Sequence, residues 1–399
     1  MRPAKQRAVL SSTTPDPRPT LDGIRVLELG SSVAGPSAGR HLADLGAEVF
    51  KIEPPEGDGL RTWGKLSPDG TSWWFKSHNR NKRFLCFDLH AERERAIVRE
   101  IALRCDILIE NFRPGRMAEW GLGYDDLRAA APGLVYVSIS GFGQDGPYAQ
   151  RAGFGNVAES MGGLRHISGF AESPPVRVGI SIGDEIAGLY AAVGALAALH
   201  ARERSGRGDH VDVALTEGCF SLLEGVLPEY GATGAVRERM GNRYLSAAPS
   251  GMYPTRDDRW ISIGANADAI FRRFAALIGR PELAEDARFK TNASRVAHTP
   301  ELDAVIGVWT LTGDANELTE RLNAAGVPAG PVNSIADIAA DKQFTARGAI
   351  ARIPDDAGRP VATPTPVPRF RERPSRLERA AAGIGADTAA ILSELGLER

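Results

Sequence analysis

Cysteine is scarce in this chain: Cys86, Cys105 and Cys219 are the only three among 399 residues. None forms a close pair, which argues against a disulfide framework or a cysteine-based zinc site. A reducing cytoplasm is the compartment this usage fits. The seven histidines, His41, His78, His90 and His166 among them, show no metal-ligand spacing, so no metal is expected. No apolar run reaches the length of a membrane span. An excess of positive charge is also missing. The 48 basic and 50 acidic residues leave a net charge of −2, too little to neutralise nucleic-acid phosphates. Residues 1–20 are rich in Pro, Ser, Thr and basic side chains and lack an apolar segment, so a flexible tail is expected rather than a signal peptide. No internal repeat is found.

What is present is the balance of a soluble enzyme, 43% hydrophobic and 25% charged, over a length that favours two domains. Ile24–Leu29 reads as a strand, Gly30–Pro36 as a turn, Arg40–Leu45 as part of a helix ended by Gly46, and Glu48–Glu53 as a second strand. Phe84–Leu89, Ile107–Glu110, Leu134–Ile139 and Val211–Leu215 are further strands, with helices at Glu92–Ala102 and from Ala187 to Arg204. Strands alternating with helices predict an α/β fold, a large Rossmann-like domain with a parallel sheet. Past Leu227 the texture changes. A strand at Trp260–Ile263 and a helix at Ala269–Ile278 open a smaller α+β domain. The expected boundaries are a large domain over 21–227, a small domain over 228–325, and a return linker (Gly326–Val332) leading into the C-terminal part of the large domain over 326–399. A last helix is expected from Ala386 to Leu395.

The first β-loop-α-β unit suggests nucleotide binding, but Gly30, Gly35 and Gly39 miss the dinucleotide spacing. The most informative acid is Asp184, which follows Gly183 and opens the Ala/Leu helix. There it meets the positive end of a helix dipole and unpaired backbone N–H groups. It can cap the helix, the commoner use of such an Asp, or attack an acyl carbon.

Four stretches decide between these uses. They are Leu21–Glu53 with Ala34-Gly35-Pro36, Asn79–Arg83, Glu110–Gly115 followed by Gly121–Tyr124, and Gly183-Asp184 with Gly188 running on to Ser205–Gly208. Together and in order, they resemble the class III CoA-transferases, the family of formyl-CoA, carnitine and succinyl-CoA:glutarate CoA-transferases. The similarity runs from about Leu21 to Arg373.

The resemblance implies that Asp184 is the nucleophile, passing through a mixed anhydride and an Asp184–CoA thioester. Coenzyme A or acyl-CoA is then a substrate and no cofactor is held tightly. The positions matching the family's CoA contacts are Val33 and Ala34; Phe87, Asp88, Leu89 and His90; Asn111, Phe112 and Arg113; and Arg151, Ala152, Gly153, Phe154 and Gly155. Glu119 and Pro54 stand where related enzymes can carry arginine. The resemblance also implies interlocked homodimers, each chain threading a ring made by the other, acting on an acyl-CoA and a carboxylic acid without nucleic acid or membrane.

Bland readings stand beside these. Asn81, Lys82 and Arg83 either meet phosphates or form a solvated face. Phe87 and Phe112 either pack in the core or stack near adenine. Glu28 and Asp88 read as local strand-end acids, His41, His90 and His166 as solvated or satisfied histidines, and Trp73-Trp74 as packing. Gly183 and Gly162-Gly163 are candidates for holding an oxyanion. Residues 240–250 offer Arg and Ser groups to a dicarboxylate. The closest rival is an acyl-CoA racemase of the same fold, but its proton-carrying histidine would fall at Phe154, which cannot carry a proton. A non-catalytic CoA-binding protein or an NAD oxidoreductase fits less well, given Asp184 and the glycine spacing.

Overall fold

The computed structural model describes residues 18–398; most of the expected N-terminal tail, residues 1–17, lies outside them. The chain divides into two compact units.

The first unit comprises residues up to Gly162, Gly179–Leu223 and Gly348 onward. Its centre is a six-stranded sheet of β1 (Arg25–Glu28), β2 (Glu48–Glu53), β3 (Arg83–Cys86), β4 (Ile107–Glu110), β5 (Val135–Ser140) and β6 (His210–Ala214). All neighbours are parallel, in the order β3-β2-β1-β4-β5-β6. Every residue of β5 is buried, as expected of a strand covered on both faces. The chain order reverses between β1 and β4, so the loops leaving their carboxyl ends diverge and open a crevice there. Leu27, Phe50, Leu85, Leu108 and Tyr136 share one core cluster with Ile391 and Leu392 of the last helix, Thr388–Leu395. The six strands stand where the hydrophobic runs put them. The third differs: the chain leaves the sheet at Phe87, because Asp88 N–H turns to Glu94 and Asp88 accepts from His90 N–H.

The helix Ile182–Ser205 lies in this unit and packs on the first helix, Ala34–Asp44. A Cβ on Gly188 would stand 2.6 Å from Ser37 Cβ, so the two helices meet only because residue 188 has none. By length and composition this helix is apolar enough to cross a membrane, which corrects the expectation that no run reaches that length. Its charges, Asp184, Glu185, Arg202, Glu203 and Arg204, sit near its ends and leave the Ala/Leu middle uninterrupted.

The second unit comprises Gly163–Val178 and Glu224–Arg347. It carries an antiparallel sheet of β7 (Ser250–Pro254), β8 (Trp260–Gly264) and β9 (Ala329–Pro331) over a core that includes Phe271, Phe274, Leu302 and Leu318. The unit is wider than the span 228–325. The expected linker holds β9, because Ala329–Pro331 hydrogen-bond along β8, and the helices Ile335–Ala340 and Lys342–Ala346 follow inside the same unit. A hairpin of β10 (Ile350–Pro354) and β11 (Pro360–Pro364) belongs to the first unit.

Candidate active site

The crevice outside β1, β4 and β5 holds a cavity of about 200 Å³ walled by Ser31–Ala34, Asn111–Pro114, Ile139–Gly141, Ala149, Arg151–Phe154, Asp184 and Leu215. A second cavity of about 310 Å³ shares Ser31 and Phe112 with it and adds Lys51, Pro54, Asp58, Phe87–His90 and Trp120. The resemblance-derived positions are therefore brought together. Val33, Ala34, Asn111, Phe112, Arg113, Arg151, Ala152, Gly153 and Phe154 wall the Asp184 cavity. Phe87, Asp88, Leu89 and His90 wall the second. Gly155 lines neither, yet a Cβ built on it would stand 2.0 Å from Asp184 Oδ2.

Asp184 is half-buried and does not cap its helix. Ser181 is the N-cap, and Asp184 and Glu185 lie in the first turn. The helix starts earlier than the apolar run because Ile182 and Gly183 already take helical geometry, and Glu185 N–H closes the turn on Ser181 O. Beside Asp184, Glu159 is buried and Gly183 N–H points at its Oε1 at 3.5 Å. Burial, then the charges of Glu159 and Asp184, push the Cys219 thiol up to about 11, so this cysteine is a thiol at neutral pH and no rival nucleophile. The expected oxyanion donors are partly committed elsewhere: Gly162 N–H donates to Ala158 O at 2.7 Å, and Gly183 N–H faces Glu159.

The first loop is held by side chains. Asn111 accepts from Ser31 N–H at 2.8 Å and donates to Ser31 O at 2.9 Å. Asp58 accepts from Ser32 N–H, and His78 Nε2–H donates to Val33 O at 3.1 Å. Burial first, then Arg40 and Lys82, keep His78 well below its usual pKa, hence neutral. Gly30 and Gly35 pack backbone to backbone, since a Cβ on Gly30 would meet Gly35 Cα at 2.9 Å. Beneath the loop, Lys51 and Lys82 flank Glu28 at 3.1 and 2.7 Å, all fully buried, and Lys51 also reaches Asp58 at 3.1 Å. Burial works against the Lys51 charge, but Glu28, Asp58 and Glu53 outweigh it and raise its pKa. For Lys82 burial prevails over Glu28 and lowers the ammonium to about 8.

Several expectations are corrected here. Glu28 is no local strand-end acid but the centre of this buried ion cluster. Asn81, Lys82 and Arg83 line neither of these two cavities and are engaged by the protein: Asn81 donates to Asp44, Lys82 to Pro36 O and Asn79, and Arg83 pairs with Glu48 and Glu394. This stretch resembles a phosphate site in sequence, yet the fold commits its side chains to acids far along the chain. Phe87 is 1% exposed in the core cluster, so it walls the cavity as packing. Asp88 does act locally, accepting from His90 N–H.

Phe112 is half-buried and meets Trp120 edge-on at 5.1 Å, with His90 on Trp120 at 5.8 Å. Trp120, Ser140, Glu159, Lys51 and Asp58 were missed in the sequence. Ser140 ends β5, where the strand-end rule for α/β sheets looks for ligand contacts. Arg113 is exposed at the rim, and Arg151 lies 3.5 Å over the Tyr148 ring. His41 is driven to about 4 by burial, then by Arg40, Arg80 and Lys82. His166 is surface-exposed, 3.7 Å from Glu238. Among the described residues no group of three metal-ligating side chains forms. In the second unit, Arg243 pairs with Asp303 at 2.9 Å and Arg239 donates to backbone carbonyls, so both have protein partners.

The model of CoA-transferase family III matches residues 21–388. Succinyl-CoA–D-citramalate CoA-transferase of Chloroflexus aurantiacus is 45% identical, over 97% of this chain and 96% of the relative. Succinate–glutarate CoA-transferase of Agrobacterium fabrum is 36% identical, over 96% of this chain and 97% of the relative. Among solved structures, a CAIB/BAIF family protein from Brucella suis superposes with a TM-score of 0.86 at 37% identity, covering 95% of this chain and all of that one.

Proposed function

The chain belongs to CoA-transferase family III, and from that premise we propose that it moves CoA from an acyl-CoA to a carboxylic acid with Asp184 as covalent nucleophile. One observation carries the assignment: Asp184 shares a single cavity with the 31–34, 111–114 and 151–154 loops at the sheet's switch point.

An Asp184 oxygen attacks the thioester carbonyl carbon, and the carbonyl pair moves onto its oxygen. Collapse of the tetrahedral alkoxide expels CoA thiolate and leaves a mixed anhydride. The thiolate attacks the Asp184 carbonyl carbon of that anhydride and releases the donor carboxylate, giving the Asp184–CoA thioester. The acceptor carboxylate attacks this thioester, making a second anhydride and freeing thiolate. The thiolate then takes the acceptor acyl group and restores the Asp184 carboxylate. No step needs a proton, and each anhydride formed on the way is a better acyl donor than the thioesters on either side of it. The half-buried setting of Asp184 limits the water that would hydrolyse an anhydride.

The acyl and pantetheine portions occupy the Asp184 cavity, and the adenine end the second cavity near Phe112 and Trp120. Arg113 and Arg151 at the rim offer charge to phosphate or carboxylate. The names of the relatives favour succinyl-CoA as donor and a dicarboxylic acid as acceptor. A homodimer in the cytoplasm, interlocked as the resemblance implies, completes the reading. Leu189, Tyr190 and Val193 on the long helix, with Phe220 and Leu222 after β6, expose an apolar surface that a second copy would cover. The racemase alternative has no support at Phe154, which is 71% exposed and carries no proton.

The test is a panel of carboxylic acids assayed against succinyl-CoA with the purified protein. Acceptor-dependent appearance of a new thioester, lost in Asp184→Asn, supports the proposal. Equal activity in that variant refutes it.

A further inference from the structure

Ser140 is the last residue of β5, 7% exposed, and it walls the same cavity as Asp184. Its Oγ is buried and makes no hydrogen bond among the described residues. That is costly for a hydroxyl, since a buried polar group without a partner forfeits its hydration. The residue is also held in place. Gly141 O accepts from both Thr216 N–H and Thr216 Oγ1, and Gly141 packs on Gly153, with a Cβ there only 3.0 Å from Gly153 Cα. The end of β5 is thus pinned against the 151–155 stretch that also contacts Asp184.

Several other donors around this cavity are already engaged or lie at its rim. Ser31 and Ser32 N–H donate to Asn111 and Asp58, and the Asn111 amide donates to Ser31 O. Gly162 N–H is held by Ala158 O, and Gly183 N–H faces Glu159. Arg113 is exposed and Arg151 stacks on Tyr148. Attack by Asp184 puts a full negative charge on the former carbonyl oxygen, and that charge needs a donor waiting for it.

We infer that Ser140 is a catalytic residue whose hydroxyl, turned about χ1 into the cavity, donates to the alkoxide oxygen of the tetrahedral intermediate formed on Asp184. The hydroxyl keeps its proton throughout, so the covalent steps balance without it. This assignment rests on Asp184 being the nucleophile.

The experiment follows exchange of labelled succinate into succinyl-CoA by the full-length wild-type protein and by its Ser140→Ala and Asp184→Asn variants, together with thermal unfolding. The expected result for Ser140→Ala is a fall in kcat of at least about tenfold, with KM for succinyl-CoA within about twofold of wild type, as for loss of a donor used only in the transition state. Its Tm should match or exceed that of wild type, because the removed hydroxyl has no protein partner to lose. Wild-type kcat in Ser140→Ala overturns the inference. So does a rise in KM alone, which means ground-state binding, or a fall in Tm, which means a structural role. If wild type shows no exchange, or Asp184→Asn matches it, the nucleophile reading itself fails and Ser140 with it.

Discussion

Gly155 and Asp184 are in contact: a Cβ at position 155 would stand 2.0 Å from Asp184 Oδ2 and 2.6 Å from its Cγ. The carboxylate therefore occupies space that exists only because residue 155 has no side chain. Under the proposed chemistry, Gly155→Ala must push Asp184 off its line of attack. The expected outcome is a kcat lower by about 100-fold, the scale of an ångström-sized misplacement, in a protein that still folds. Steady-state kinetics with circular dichroism would check it. Unchanged kcat would mean that the position of Asp184 does not matter.

Asp184→Ala separates capping from catalysis. Asp184 lies in the first helical turn without being the N-cap, so its loss should cost about 0.3–1 kcal/mol through the helix dipole. Loss of a covalent nucleophile should remove transfer altogether. A variant retaining more than a few per cent of wild-type turnover contradicts the assignment.

Phe154 bears on reaction type. It stands 71% exposed at the cavity wall where a racemase would need a proton carrier. Incubation of a 2-methylacyl-CoA in heavy water should leave its α-carbon unlabelled by mass spectrometry. Deuterium entering without any acceptor acid would reverse the reading.

Lys82 tests structure against phosphate binding. Its ammonium is fully buried on Glu28. Lys82→Ala leaves that carboxylate facing Lys51 alone and should cost about 3–5 kcal/mol, seen as a large fall in Tm. The KM for acyl-CoA of the protein that stays folded should change little. A KM effect without a stability effect would restore the phosphate reading.

Glu110 predicts a pH dependence. It is buried at the end of β4, accepts from Phe112 N–H at 2.8 Å, and is pushed up to about 7 by burial, against the Ser138 and Phe112 hydrogen bonds. Its folded pKa lies above its unfolded one, so the folded state holds the extra proton. Its contribution is full below about pH 4.5 and is lost as pH rises through about 7, by up to about 3 kcal/mol. Glu110→Gln stays neutral, so its Tm relative to wild type should climb between pH 5 and 8. Parallel Tm curves would show that Glu110 does not titrate there.

The sequence by itself determined the strands and their parallel pairing. β2 and β4 have the expected ends, because an apolar run bounded by Pro, Gly or a helix start leaves little choice of register. It also pointed to Asp184 and to the neighbours that the fold assembles around it, because those stretches carry residue types used together in one chemistry. What it could not hold were relationships between distant positions. Lys82 looked like a surface cation until Glu28, 54 residues earlier, lay beside it in the core. Ser140 is an ordinary strand serine until the fold strips its hydroxyl of partners and sets it in the wall beside Asp184. Gly155 matters because of an oxygen 29 residues away. Local propensity reads hydrogen bonds within a few residues, whereas burial, ion pairing and close contact depend on which segments the folded chain brings together.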